Sequence, residues 1–326
     1  MINICRSPKA MLAIAVFALI ATGATAQTGY PAKPLRILVG FVPGGFTDTS
    51  ARIVGQKLGE ALGQQVIIEN RPGANGLIAG DLTAKSAPDG YTLFMTSPGL
   101  TTNPILYARL RHDPVTGFTA VSQIAEIPNL LVVHPSVPAK SIGELFALAR
   151  ARPATLTQSS AGTGSPGHLS GELLQMMMKV KFIHVPYKGA QSVIDLIGGH
   201  VDLSFPSISS SIAFVREGKL RALGVTSARR SPLLPDVPAI GEKEVPGYSS
   251  VGWYGIVGPA GIPKPIVAAL NTEIVRIIQN AEVRERLARE GAVPMSNTPE
   301  AFSAFIADDH RKWAKVIKAA NIPVSE

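Results

Sequence analysis

The sequence predicts an α/β chain of two lobes, with mostly parallel sheets and a discontinuous first lobe. Three observations carry this. Short apolar runs alternate with segments of helical period along nearly the whole chain, as in a sheet covered by helices on both faces. Two glycine-rich turns, Pro43-Gly44-Gly45-Phe46-Thr47-Asp48 and Ala161-Gly162-Thr163-Gly164-Ser165-Pro166-Gly167-His168, each stand where a strand hands over to a helix. Beyond a leader, about 300 residues remain, enough for two cores.

Residues 1–26 read as that leader, a secretory signal peptide. Arg6 and Lys9 form its basic end, Met11 to Ala21 its apolar stretch, and Ala24-Thr25-Ala26 a small-residue cleavage site before Gln27. Cys5, the single cysteine, leaves with it, so the mature chain has no disulfide, thiol nucleophile or thiolate metal ligand. With Arg6 and Lys9 gone, 31 basic side chains become 29 against 23 acidic ones. That excess helps draw in anions, but it is scattered and lacks a basic stripe with interleaved aromatics, which argues against a nucleic-acid partner. No later segment has the apolar length of a membrane span. The expectation is a soluble monomer outside the cytoplasm.

The first lobe opens with the strand Leu35 to Val42 and the first glycine turn. Ala51, Val54, Leu58 and Leu62 then fall at helical spacing, with Thr47 or Asp48 as cap and Gly63 as stop. A strand at Val66 to Glu69, a turn at Asn70 to Gly76, a helix over 77–86 and a strand at Tyr91 to Thr96 follow. The lobe changes near Ile124 to Leu130, where Pro128 interrupts. The second lobe runs through a strand at Leu130 to Val133, a helix at Ser141 to Ala151, the strand before the second glycine turn, and helix 167–178. It continues through strand 182–185, helix 189–198, strand 201–205, helix 208–217 and the strand Arg221 to Thr226. Pro232 to Pro246 reads as a crossing connection, and Val251 to Val257 as a strand returning to the first lobe. Ile266, Leu270, Ile274, Ile277 and Ile278 mark one C-terminal helix. Thr298 and Pro299 start another, with Phe302, Phe305, Ile306, Trp313 and Ile317 on its packed side. The lobes are thus 27–126 with 247–326, and 127–246.

A glycine turn before a helix gathers backbone N–H groups at the helix's positive end, which favours an anion. Two such turns, far apart in sequence, suggest two lobes closing on one acidic ligand. A phosphate loop is excluded, because Thr47-Asp48-Thr49 puts an acid where Gly-Lys-Ser/Thr would stand. Asp48 either caps the helix and fixes the loop or touches a ligand hydroxyl or amino group. His168, one turn after Gly164, either orients the glycine loop or contacts ligand. His112, His134, His184, His200 and His310 lack metal spacing, so neither a metal nor a cofactor is expected. Gly162-Thr163-Gly164-Ser165 and Gly167-His168-Leu169-Ser170-Gly171 suggest a hydrolase only superficially, since neither spells Gly-x-Ser-x-Gly.

An ordered set of words resembles one family. They are Val42-Pro43-Gly44-Gly45 with Asp48 and Arg52, Glu69-Asn70-Arg71-Pro72-Gly73-Ala74, Pro88-Asp89-Gly90-Tyr91-Thr92-Leu93, and Gly162-Thr163-Gly164-Ser165 with His168. His184-Val185-Pro186-Tyr187-Lys188-Gly189, Gly198-Gly199-His200-Val201-Asp202, Leu234-Pro235-Asp236-Val237-Pro238, Trp253-Tyr254-Gly255 and Pro259-Ala260-Gly261 follow. The chain resembles the substrate-binding proteins of tripartite tricarboxylate transporters, the TctC or Bug receptors of the bacterial periplasm. The resemblance implies a Venus-flytrap receptor of the type II periplasmic-binding class. Such a receptor holds a small carboxylate in its cleft by amides, hydroxyls and waters, and delivers it to membrane permease subunits. It places first-lobe contacts at Gly44, Gly45, Thr47, Asp48, Thr96, Ser97 and Asn103. It places second-lobe contacts at Ser159, Ala161, Thr163, Gly164 and His168, with Tyr187, Lys188 and Asp202 near the rim.

Lys188 either complements a second carboxylate or is a solvated lysine near the hinge. Two departures from the family pattern stand out: His112 where a tyrosine is expected, and Phe205-Pro206-Ser207 after Asp202. Pro206 with Ser207, Ser209, Ser210 and Ser211 can therefore reshape ligand choice. Aromatic acids, tricarboxylates, small dicarboxylates, amino acids and nicotinate-like compounds all stay open. So do two other outputs, signalling to a sensor kinase and, remotely, hydrolysis.

Overall fold

The computed structural model of the chain describes residues 29–107, 113, 116–187 and 190–324. The chain divides into a short unit, 1–32, and a main body, 33–326; the following concerns the main body. The signal-peptide reading, His112 and Lys188 lie outside the described residues.

Two mixed sheets organise the body. The first has the order β11-β4-β10-β3-β1-β2, built from β1 (Leu35–Val39), β2 (Val66–Asn70), β3 (Thr92–Thr96), β4 (Phe118–Pro128), β10 (Val251–Pro259) and β11 (Val293–Pro294). The second has the order β7-β6-β8-β5-β9, from β5 (Leu130–Val133), β6 (Thr157–Ser160), β7 (Ile183–Pro186), β8 (Leu203–Ser204) and β9 (Arg221–Val225). The first sheet takes strands from both ends of the chain, so its lobe is discontinuous as expected.

Among the described strands, parallel pairing joins β1 with β2 and β3, and β6 with β7 and β8, with one isolated parallel bridge between Val225 and Ala239. The expectation of mostly parallel sheets is corrected here. The strands that enter and leave each lobe, β4 with β10 and β5 with β9, run antiparallel. A chain that crosses out and returns must bring these strands back in opposite directions.

The helices follow local chemistry. α1 (Phe46–Leu62) starts from Gly45 and ends at Gly63 in the left-handed region, φ 65°. Next come α2 (Leu77–Ala84), α3 (Gly99–Leu106) and α4 (Ile142–Ala151), the last capped by Ser141. α5 (Pro166–Met178) begins with Ser165 as cap and proline at its first position, where a missing N–H costs nothing. α6 (Gln191–Ile197) and α7 (Ile208–Arg216) complete the second lobe. α8 (Lys264–Gln279), α9 (Ala281–Arg289) and α10 (Pro299–Ala319) form the C-terminus.

Two further expectations change. Residues 232–246 do not simply cross between lobes, because their backbone extends the second lobe. Val225 N–H donates to Pro238 O at 2.9 Å and Ile240 N–H to Val225 O at 2.9 Å. Ile240, Val245 and Tyr248 are buried in the second core. The C-terminal helix also belongs to both lobes. Phe302 and Ile306 sit in the first core, whereas Trp313, Val316 and Ile317, about three turns on, sit in the second.

The two crossings lie side by side and share one residue. Thr226 N–H donates to Asn129 O at 2.9 Å, and Asn129 N–H donates to Thr226 Oγ1 at 2.8 Å. Ser250 N–H donates to Thr226 O at 2.8 Å. Ser170 Oγ, 2.8 Å from Ser250 Oγ, also accepts from Asn129 Nδ2 at 3.3 Å. All four side chains are buried, so the backbone turns there with its polar groups satisfied.

Candidate functional site

Both glycine turns face a groove between the lobes. Its inner chamber, about 340 Å³, is walled by Phe41, Gly45, Thr47, Asn75, Ser97 and Gly99 of the first lobe, and by Gly164 and Leu169 of the second. Its outer chamber, about 710 Å³, is walled mainly by second-lobe residues, among them Ala161, Gly167, Pro206, Ser207 and Ser210. Phe46, Pro166 and Tyr254 line both.

Helix starts supply the inner chamber's donors. The first amides of a helix have no partner within it. For α1 these include the Phe46 and Thr47 N–H groups, and for α3 that of Gly99. None of the three meets a protein acceptor among the described residues. No charged side chain lines this chamber among the described residues. An anion there would be balanced by oriented dipoles rather than by an ion pair.

Asp48 shapes the first turn. Its carboxylate accepts from Gly44 N–H at 3.0 Å, Asn70 Nδ2 at 2.9 Å, and Arg52 Nε and Nη2 at 3.0 and 2.9 Å. Burial pushes its pKa up, but the Arg52, Gly44 and Asn70 hydrogen bonds outweigh that and hold it below the ordinary value. With its oxygens so engaged and 3% of the residue exposed, Asp48 braces the loop. The Gly44 amide is committed to Asp48, which leaves the chamber to the amides after Gly45.

His168 has the same relation to the second turn. Gly164 N–H donates to its Nδ1 at 3.0 Å, while Nε2 lies 3.6 Å from Glu172 Oε1. An Nδ1 that accepts carries no proton, so the neutral ring is protonated on Nε2. The ring stacks on His184, with centroids 3.7 Å apart and planes 13° from parallel. Burial, helped by the neighbouring His168, lowers the His184 pKa to about 4.

Ser160 Oγ is 2.7 Å from His184 Nε2 and bonds both the amide and the carbonyl of Gly162. An imidazole of so low a basicity is a poor general base at neutral pH, so this serine and histidine brace the turn. Ser165 Oγ accepts the His168 amide, and Ser170 Oγ donates to Pro166 O at 2.8 Å.

The other expected contacts divide. Gly45, Thr47, Ser97 and Gly164 line the inner chamber, and Ala161 and Pro206 the outer one. Thr96, fully buried, turns its hydroxyl to Ser97 O. Asn103 grips the turn at 74–75, its Nδ2 donating to both carbonyls at 3.3 and 3.2 Å, and so sets Asn75 on the chamber wall. Ser159 donates to Ser192 O and is buried inside the second lobe. Thr163 and Tyr187 wall neither chamber; burial and the hydrogen bond its hydroxyl donates to the Asp195 carboxylate raise the Tyr187 pKa.

Asp202 does not reach the rim. Its Oδ2 accepts the amide and hydroxyl of Thr157 at 2.7 Å each, at the opposite end of β6 from the glycine turn. Three residue steps along β6 separate that end from Ser160, about 10 Å.

The aromatic walls escaped the sequence reading. Phe46 meets Tyr254 edge-on with centroids 4.5 Å apart, and Trp313 joins the inner wall. Strand alternation was the available signal for Tyr254. Trp253, fully buried, donates its indole N–H to Asp309 at 2.9 Å, so its neighbour must face the other way, into the groove.

Residues 50–322 match the family described as the tripartite tricarboxylate transporter family receptor. The chain is 36% identical to protein BugT of Bordetella pertussis over 306 residues, 92% of each chain. Among solved structures, it is similar to an R. palustris protein with adipate. There the TM-score is 0.74 at 37% identity, covering 90% of this chain and 99% of that one. It is also similar to MatC from Rhodopseudomonas palustris with bound malate, TM-score 0.70 at 32% identity, covering 88% and 100%. Among the described residues, no helix is long and apolar enough to cross a membrane. A two-lobed α/β body with a donor-lined groove, and matches that run nearly end to end, place this chain in the TctC/Bug family of solute-binding receptors.

Proposed function

We propose that this receptor captures a small organic carboxylate in the interlobe groove and presents it, unchanged, to the membrane subunits of a tripartite tricarboxylate transporter. The observation that supports the reading is that helix-start amides of α1 and α3, without a protein acceptor among the described residues, belong to residues lining a chamber that the second glycine turn also walls. Each helix end contributes about 0.3–1 kcal/mol to an anion, up to about 2 when partly buried. Several ends acting together inside a water-poor groove replace a salt bridge. The relatives with adipate and malate make carboxylates the first ligands to try.

Closure follows from contacts made to both lobes. Only a ligand that touches Gly45 and Gly164 together favours the closed form over the open one. The crossings at Asn129 and Ser250, tied through Thr226, are the natural hinge.

A thermal-shift screen of the chain lacking residues 1–26 against organic carboxylates tests the proposal. A true ligand at 100 times its Kd adds about 2.7 kcal/mol and raises Tm visibly. Mass spectrometry should recover it unaltered. A screen in which no carboxylate moves Tm, while a cation or sugar does, refutes the reading.

A further inference from the structure

A buried carboxylate stands behind the inner chamber and gathers the elements that wall it. Asp309, on α10, has its side chain only 3% exposed. Its Oδ2 accepts from Thr101 Oγ1 of α3 at 2.8 Å and from Trp253 Nε1 of β10 at 2.9 Å. Its Oδ1 meets Lys312 Nζ at 2.8 Å. Glu126 of β4 faces the same cluster; burial pushes its pKa up, while Gln123 and Lys312 act against that.

Each partner of Asp309 is next in sequence to a wall of the chamber. Thr102, Tyr254 and Trp313 line it, whereas Thr101, Trp253 and Lys312 do not. Successive residues point about 100° apart on a helix and to opposite faces of a strand. Asp309 therefore holds the backs of three elements whose fronts make the site.

The element that most needs holding is α3, whose first residue, Gly99, supplies one of the chamber's amides. It has eight residues, no capping side chain, and Pro104 inside it, which has no N–H to return to the preceding turn. A helix so short is marginal by itself, so its neighbours set its position. On one side it leans on the turn at 74–75, where a Cβ on Gly99 would strike Asn75 O. On the other side α10 holds it. Thr101 Oγ1 donates to Asp309, and His310 Nδ1, 2.8 Å from Thr101 O, donates to that carbonyl. Thr101 Oγ1 also lies 3.0 Å from Pro98 O, but the bond to a carboxylate is the stronger one.

We infer that Asp309 is a positioning residue for the anion site: acting through Thr101, it fixes the start of α3 so that the Gly99 amide is presented at the chamber wall. Asp309 is 208 positions from Thr101 in sequence and lines neither chamber. The inference rests on the carboxylate reading for its ligand and on the Asp309–Thr101 pair for its mechanism.

Two measurements on the wild type, Thr101→Val, Thr101→Ser and Asp309→Asn test it. One is calorimetric titration with adipate, malate, citrate, benzoate and glutamate. The other is hydrogen exchange of residues 99–107 without ligand, at short labelling times. Thr101→Val removes the hydroxyl alone, and Lys312, 34% exposed, can turn to water in Asp309→Asn. Both variants should weaken the tightest of these carboxylates by about 3- to 30-fold, the range one helix end can contribute, and speed exchange in 99–107. Thr101→Ser, which keeps the hydroxyl, should stay within about twofold of the wild type in both. Wild-type affinity in Thr101→Val and Asp309→Asn, or a Thr101→Ser as weak as Thr101→Val, overturns the inference and leaves the carboxylate receptor intact. A wild type that binds none of the five refutes the carboxylate reading instead; exchange then decides the positioning role, and unchanged exchange in Thr101→Val and Asp309→Asn overturns that too.

Discussion

In the first-lobe turn the amide of Gly44 is held by the side chain four residues on, the Asp48 carboxylate; in the second-lobe turn the amide of Gly164 is held by the side chain four residues on, the His168 imidazole. The geometry is the same, and the donors are 3.0 Å from their acceptors in both. The chemistry differs. The Asp48 carboxylate is clamped by Arg52 and Asn70, whereas the His168 ring rests on a second imidazole, His184. One lobe thus has a turn held by a carboxylate kept below its ordinary range, and the other a turn that leans on His184, whose pKa burial lowers to about 4. The surroundings differ too. A Cβ on Gly44 would meet nothing within 4 Å, while one on Gly164 would come 2.9 Å from Leu106 Cδ1 of the facing lobe.

The largest effect should come from cutting the carboxylate. Asp48→Ala removes the acceptor shared by the Gly44 amide, Asn70 and Arg52, and should cost about 1.5–3 kcal/mol in urea unfolding, with binding lost alongside. A loss under about 1 kcal/mol would mean that the first turn holds itself, and the comparison would fail at its stronger side. Next, Gly164→Ala should be worse than Gly44→Ala. Both positions have left-handed φ, 76° and 91°, which costs about 1–2 kcal/mol for a residue with a Cβ. Only Gly164 adds the contact with Leu106 across the groove, so its variant should also lose at least about tenfold in ligand affinity by calorimetry. Equal losses would show that the interlobe approach at Gly164 carries no weight.

His168→Ala comes third. It leaves the Gly164 amide without its acceptor and removes half of the histidine stack, a cost of about 1–2 kcal/mol. Ligand affinity should fall more than stability, because the orphaned loop lies at the chamber wall. Unchanged affinity in this variant would detach the imidazole from the site.

Much of this was legible beforehand, and the exceptions share a cause. Glycine turns, caps and stops announce themselves locally: Gly63, Ser141, Ser165 and Thr298 all occupy the cap positions their residue types favour. The antiparallel return of β10 beside β4 is a property of the whole path, and no local pattern encodes it. The C-terminal helix read correctly as apolar on one side. Which core each end joins depends on where the helix lies, so Phe302 and Trp313 could not be separated in sequence. Asp202 illustrates the remaining error. Its word marks a family position, but a strand has two ends, and the hydrogen bonds to Thr157 show which one it serves. Tyr254 was read only as part of a returning strand, since adjacent strand residues face opposite sides and the sequence does not say which side is the groove.

The smallest and most discriminating effect concerns acid. The His184 pKa is lowered from 6.5 to about 4. The unfolded chain takes up that proton near 6.5 and the folded chain only near 4, so stability is fully present above 6.5 and drains away as the pH falls through this window. Asp48 moves the other way along the scale. Its pKa lies below the ordinary 3.8, so its contribution is intact throughout the same window and fades only in stronger acid. Acidification from neutral pH to about 4 should therefore loosen the second turn alone. Because the ring is only partly buried, the expected slope is modest, about 0.5 kcal/mol per pH unit against a ceiling of about 1.4 for one proton. Urea midpoints measured across the window should show this slope in the wild type and lose it in His184→Gln, which keeps a polar partner for Ser160 and cannot titrate. A slope that survives His184→Gln but vanishes in Asp48→Asn would place the proton in the wrong lobe and reverse the comparison.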